Sequence, residues 1–177
     1  MRDPAKRLDL LLLKQRFHLG NLDGQALDVP IDQFLHVRIV ERLLTDFMGY
    51  TAAEAHVYAD DIGETFSDDM VERMEEKLGN PDRCPHGWPV DPAFEQAENA
   101  ELAPLAALEA PAKATIVRLA EHDGELLHWF YDEGFTPGAH VVIREAQPAA
   151  GQFKVLLGGT ERAIGEKAAA GLYVRPS

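Results

Sequence analysis

The chain has 177 residues, 46% of them apolar, with 30 acidic against 17 basic side chains and a formal net charge of −13. That length admits one large or two small domains, and so acidic a balance argues against a surface that grips phosphate backbones through clustered Lys and Arg. The one cysteine, Cys84, excludes an internal disulfide framework; with no export signal and no apolar run of about 18 residues, a cytoplasmic protein with no membrane partner is expected.

Residues 1–30 carry little pattern. Leu8 to Leu13 is broken by Asp9 and followed by Lys14 and Arg16, too short and too charged for a secretory apolar core. Gly20, Asn21, Asp23 and Gly24 punctuate the next ten residues, and neither a helix-turn-helix nor a hairpin wing can be drawn. This stretch is left unassigned, as a disordered segment or a displaced reading frame. From Ile31 a helical period begins: Phe34, Leu35, Ile39, Val40, Leu43, Leu44, Phe47 and Met48 share one wide apolar face, ended by Gly49. The face is broader than one neighbouring helix needs, so it is expected to serve both an internal core and a partner subunit.

Residues 51–90 are the best punctuated. Thr51 with Glu54 forms a capping box that predicts a helix start. His56, Asp60 and Glu64 then recur at i, i+4 spacing, setting an imidazole and two carboxylates on one stripe, with Asp61 beside it. A second start is predicted at Ser67, where the hydroxyl can cap and Asp68 and Asp69 meet the positive end of the helix dipole. Gly79, Asn80 and Pro81 stop that helix. Residues 51–78 hold nine acids against Arg73 and Lys77, either a solvated acidic face or a cation site. In the segment DRCPHGWPVDP, Cys84 and His86 read as part of a structural turn, because two ligands do not complete a structural metal site and no second pair is available.

Residues 92–110, rich in Glu and free of Lys and Arg, read as an acidic linker, in part helical. Beyond Lys113 the period shortens. Ala114 to Leu119, Val141 to Ile143, Phe153 to Leu157 and Leu172 to Val174 are predicted strands, around a short helix from Glu125 to Asp132. The expected class is α+β: an all-helical domain over 31–91, then a small SH3-like β-barrel over 111–177. Asp123 and Glu125 are a possible additional metal pair.

The run VERLLTDFMGYTAAEAHVYADDIGETFSDDMVERMEEKLGNPDRCPHGWPV resembles the metal-binding and dimerisation domain of the diphtheria toxin repressor (DtxR) family of iron- and manganese-dependent transcriptional regulators. Its E-R-L-L, H-x3-acid, S-D-x-x-E-R and C-P-H-G-x-P elements stand in the family's order. IVRLAEHDGELLHWFYDEGFTPGAHVVI and VLLGGTERAIG are similar to the FeoA-type SH3-like domain that many of these repressors carry. The resemblance implies a homodimer joined around Leu43, Phe47 and Ile62, and a divalent metal, Fe(II) or Mn(II), controlling DNA binding through a winged helix placed ahead of this domain. It also implies ligands among Glu41, His56, Asp60 and Glu64. The sequence departs from the family where Val37 replaces a histidine, Gly63 a carboxylate and Glu64 a histidine, while His36 lies one residue early, rotated by about 100° on a helix.

Two functions compete: a metal-dependent regulator represented by its dimerisation and FeoA-type domains, and a FeoA-like or dimerisation-only interaction module without DNA binding. An enzyme is not expected, since no nucleophile elbow, phosphate loop or HExxH is present.

Overall fold

The computed structural model describes residues 17–20, 26–29, 31–121 and 123–177, with side chains from Leu35 onward except those of Pro92 and Pro148. The first described element corrects the sequence expectation. Strand β1 (Phe17–Gly20) pairs antiparallel with β2 (Ala26–Val29), Phe17 opposite Val29 and Gly20 opposite Ala26. Each strand is only four residues long, too short for alternation to show in the sequence. The rest of residues 1–30, where disorder or a displaced frame is expected, lies outside the described residues.

Helix α1 (Ile31–Asp46) follows directly. Its apolar stripe divides as the breadth of the pattern suggests. Val40 and Leu44 pack with Ala55 and Ala59 of α2 (Ala52–Ile62), while Ile39 packs with Val71 of α3 (Asp68–Lys77) and with Val90. The capping box at Thr51 and Glu54 forms on both sides. Ser67 stands at the N-cap of α3, but its hydroxyl makes no cap bond; Asp68 and Asp69 in the first turn satisfy the dipole instead. The stop after α3 is a left-handed pair, Gly79 at φ +80° and Asn80 at φ 56°, returning backbone bonds to Glu76 and Glu75.

The helical part expected within the acidic linker is α4 (Pro92–Asn99), capped by Asp91 with Pro92 in its first turn. Glu95 and Glu98 are buried. Their partners are distant in the chain, which hides them from a sequence reading: Arg38 of α1 pairs with Glu95, and Arg83, Arg118 and Arg175 converge on Glu98.

The C-terminal half is a six-stranded antiparallel sheet of order β3-β8-β4-β5-β6-β7, from β3 (Ala103–Pro104), β4 (Ala112–Leu119), β5 (His140–Gln147), β6 (Gln152–Leu157), β7 (Thr160–Gly165) and β8 (Leu172–Pro176). It carries α5 (Gly124–Asp132) and the short α6 (Glu166–Ala170). Among the described residues β3 and β7 remain edges, so the barrel is not closed by strand pairing. Helix α6 accounts for this: the chain leaves β7 as a helix, and Ala168 and Ala169 enter the core with Leu105 and Ile164.

Two features position the site. A register shift between Ile116 and Arg118, where β4 pairs with β8, lets Val117, Arg118 and Leu119 all be buried in succession. Ala53 of α2 also packs into the apolar core of the sheet, so the helices and the sheet are packed together.

Candidate metal centre

Four side chains from separate stretches meet where the helices touch the sheet. Glu41 comes from α1, Cys84 and His86 from the turn after α3, and Glu121 from just beyond β4. One donor atom from each lies within 4.8 Å of all the others.

The turn delivers its two side chains because it is docked on β4. The Leu119 N–H donates to the His86 carbonyl at 3.0 Å, and Trp88 Nε1 donates to the Leu119 carbonyl at 2.7 Å. Tyr131 of α5 donates its hydroxyl to the Pro85 carbonyl at 2.9 Å. Behind the turn, the Arg118 and Arg38 guanidiniums lie 4.9 and 5.7 Å from the Trp88 ring centroid, a cation–π bracket that fixes the indole.

His86 is fully buried, and its Nε2 lies 3.0 Å from the Ala52 carbonyl. A carbonyl only accepts, so Nε2 carries a proton and Nδ1 faces the cluster. From Nδ1, Glu41 Oε2 is 3.4 Å away, Glu121 Oε2 3.5 Å and Cys84 Sγ 3.8 Å. Ligands bound at roughly 2.0–2.3 Å around one tetrahedral ion lie about 3.3–3.8 Å apart, so the donors fit a divalent cation. Glu41 Oε2 supports the same reading, being fully buried and without a hydrogen-bond partner among the described residues, a state that costs free energy unless a cation or proton meets it.

The electrostatics agree. Burial alone would raise the Glu41 carboxyl, but the His56 hydrogen bond to Oε1 and the neighbouring His86 ring bring it down to about 2. For His86, burial opposes the charged ring, yet Cys84, Glu121 and Glu41 together raise it steeply; a proton and a metal ion are alternative occupants of Nδ1. Burial, with the charges of Glu41 and Glu121, pushes the Cys84 thiol up to about 12, so it ionises at neutral pH only against a cation.

The expected site residues separate. Glu41 is in the cluster. His56 lies beside it, Nδ1 at 2.7 Å from Glu41 Oε1 and Nε2 at 3.8 Å from Asp60, a largely exposed carboxylate. Glu64 is exposed on the 3-10 turn Gly63–Thr65. Asp123 caps α5 through Leu126 N–H and pairs with Lys167, and Glu125 is exposed. Glu121, two positions before Asp123, is the carboxylate that reaches the cluster. Cys84 and His86 do form a turn, and the same turn supplies two donors; their partners, Glu41 and Glu121, come from well before and well after it in the chain, so no local spacing announces the set. The departures at Val37 and Gly63 meet each other: a Cβ on Gly63 would lie 3.0 Å from Val37 Cγ2, so that face of the helix pair is closed by apolar packing.

The α+β chain thus brings a buried thiol, a buried imidazole, a buried carboxylate and a half-buried one together between its helices and its sheet, a candidate centre for a divalent metal. Residues 36–91 match the family model for the iron dependent repressor metal binding and dimerisation domain, and residues 103–176 match the FeoA domain. The chain belongs to the DtxR family of iron- and manganese-dependent regulators, of which it carries these two domains. It is similar to the iron-dependent repressor IdeR of Mycobacterium tuberculosis (strain ATCC 25618 / H37Rv), 32% identical over 147 residues, 76% of this chain and 63% of that protein. The chain thus spans 63% of the curated relative's length. Among solved structures, a manganese-dependent transcriptional repressor in complex with manganese has a TM-score of 0.76 at 26% identity, over 83% of this chain and 70% of the other. The T. acidophilum IdeR structure, at 22% identity, shares the fold with a TM-score of 0.73 over 98% of this chain and 82% of that one. Among the described residues no helix is long and apolar enough to cross a membrane.

Proposed function

We propose that this chain is a metal-dependent transcriptional regulator whose divalent ion, iron(II) or manganese(II), is held by Glu41, Cys84, His86 and Glu121. The observation that carries the reading is the convergence of these four donors from α1, the Cys84–His86 turn and the end of β4. Because Glu121 belongs to the sheet half and the others to the helical half, a bound ion ties the two together. The ion would supply fixed positive charge at a site whose carboxylates otherwise repel each other. By raw affinity a thiolate–imidazole set also suits zinc and cobalt, so selection in the cell rests on geometry and availability.

The fold is read as a helical dimerisation domain followed by an SH3-like domain, and the functional unit as a homodimer. Support comes from large apolar side chains left in solvent on α1, α2 and the turn between them: Phe47 is 66% exposed, Met48 60% and Ile62 36%, beside half-buried Leu43. DNA recognition is assigned to a winged helix of the kind the family places ahead of this domain, which the described residues do not display.

The test is a titration of the full chain with manganese(II) and iron(II), followed by light scattering and a gel shift on operator-like DNA. The reading expects saturable binding of one ion per chain that is lost in Glu121→Ala. A chain that binds metal and dimerises yet never shifts DNA would favour the interaction module, and a chain that binds no divalent ion would end the proposal.

A further inference from the structure

Helix α4 presents two buried carboxylates, Glu95 and Glu98, at a spacing that sets them on one face. Each orients an arginine that reaches on to the backbone around the Cys84–His86 turn. Glu95 Oε2 accepts from Arg38 Nη2 at 2.8 Å, and Arg38 Nη1 donates to the Pro89 carbonyl. Glu98 Oε1 accepts from Arg83 Nη2 at 2.7 Å, and Arg83 Nη1 donates to the Gly87 carbonyl, also at 2.7 Å. The same construction thus occurs twice, running from carboxylate to guanidinium to backbone carbonyl. Arg118 fastens the helix to β4, its Nε and Nη2 donating to Glu98 Oε2 at 2.9 and 2.6 Å and its Nη1 to Asn99 Oδ1 at 2.9 Å.

The turn itself is closed by few backbone bonds: Gly87 N–H donates to the Cys84 carbonyl at 3.1 Å, Cys84 N–H to the Trp88 carbonyl at 2.9 Å, and Arg83 pairs with Pro89 as an isolated bridge. Resting on the metal site proposed for Glu41, Cys84, His86 and Glu121, we infer that Arg83, held by Glu98, is a positioning residue for the Cys84 and His86 donors, so that α4 governs metal affinity while supplying none of the four donors. A guanidinium offers its N–H groups in a rigid fork. With one arm fixed by Glu98, the other holds the Gly87 carbonyl in place, and with it the separation of Cys84 Sγ from His86 Nδ1. Hydrogen bonds behind a ligand orient it and commonly contribute ten- to a hundredfold in affinity.

Arg175 supplies the control. It donates to the same Glu98 Oε1 at 3.1 Å, its other carboxylate partner is Glu101, and both lie outside the turn. Its side chain is 47% exposed against 42% for Arg83, and ion pairs so exposed contribute little by themselves. What separates the two arginines is the bond to Gly87.

The experiment titrates the full chain, Arg83→Met and Arg175→Met with cobalt(II) alone, and follows amide hydrogen exchange in the same proteins without metal. Arg83→Met is expected to weaken cobalt binding by roughly tenfold, to shift the visible cobalt spectrum, and to speed exchange at the Cys84 and Gly87 amides. Arg175→Met should leave all three as they are in the unaltered chain. Equal losses in the two variants would mean that Glu98 acts through stability alone, and an Arg83→Met chain that binds cobalt like its parent would mean that the turn needs no such grip; either result overturns the inference and leaves the metal site standing. An unaltered chain that takes up no cobalt overturns the metal site and the inference with it. If Arg83→Met fails to fold, Arg83→Lys makes the same comparison, since a lysine keeps the charge beside Glu98 without a fork to reach the Gly87 carbonyl as well.

Discussion

Gly87 sits so close to Val117 that a Cβ built on it would lie 1.9 Å from the Val117 carbonyl oxygen, and its φ of +89° is one that side chains rarely adopt. The backbone that carries Cys84 and His86 can lie against β4 only because this position has no side chain. Gly87→Ala is therefore expected to cost at least about 2 kcal/mol and to weaken metal binding as the turn lifts from Leu119. Urea denaturation checks the first effect and a metal titration the second; an alanine variant as stable as the parent would mean that the turn is not docked in this way.

Cys84 and Glu121 contribute different donors, and this predicts a difference between metals. Cys84→Ser should weaken cobalt(II) and zinc(II) by about tenfold or more while touching manganese(II) less, since sulfur suits the softer ions. Glu121→Gln should weaken all of them. Saturating metal at about 100 times Kd adds roughly 2.7 kcal/mol of stability, so thermal melts with and without each ion read both effects. Equal losses across metals in the serine variant would contradict a thiolate ligand.

Glu98 anchors α4. Burial opposes its ionisation, but hydrogen bonds from Arg83 and Arg118 overcome it and bring the carboxyl to about 2. A carboxyl lowered on folding stabilises the folded state above its unfolded value of about 4.3, and that contribution is lost as pH falls through the folded value. Stability should therefore decline between about pH 5 and pH 2. Glu98→Gln leaves Arg118, only 1% exposed, without its carboxylate, at an expected cost of about 3 kcal/mol near neutral pH. The gap between parent and variant should narrow toward pH 2; a gap independent of pH would show that the pair is not what matters.

Phe47 has no large burial to lose within one chain, being 66% exposed. Phe47→Glu should leave far-UV dichroism and the melting of the monomer nearly unchanged, yet place an unpaired charge in the proposed dimer surface and dissociate it. Light scattering at micromolar concentration gives the answer, and a monomeric parent would remove the premise.

What could be seen in the sequence was local. The Thr51–Glu54 box, the apolar period of α1 and the left-handed stop at Gly79 and Asn80 each need only a few neighbouring residues, and each stands as expected. Glu41 was legible through the E-R-L-L resemblance. Glu121 was not: it follows a strand with no helical spacing to flag it, and its partners enter from α1 and the Cys84 turn. Glu95 and Glu98 have their roles hidden for the same reason, since an acid-rich stretch reads as a linker until Arg38, Arg83 and Arg118 arrive from elsewhere. The β1–β2 hairpin escaped because strands of four residues leave no period to read.

The irregularity at Val117 has a consequence for how the chain tolerates insertion and deletion. In an even strand neighbours alternate faces, yet Ile116 and Leu119 both enter the core of the sheet with two residues between them, which the added residue allows. Past it the register resumes with Arg118 opposite Tyr173 and Leu119 opposite Leu172, so a deletion of Val117 would straighten the strand while Arg118 keeps its place beside Glu98. A deletion of Ala120 has no such slack, because it would draw Glu121 one step toward β4 and out of the four-donor cluster. Tolerance to a lost residue thus changes abruptly within four positions, from absorbed at Val117 to disruptive beside Glu121.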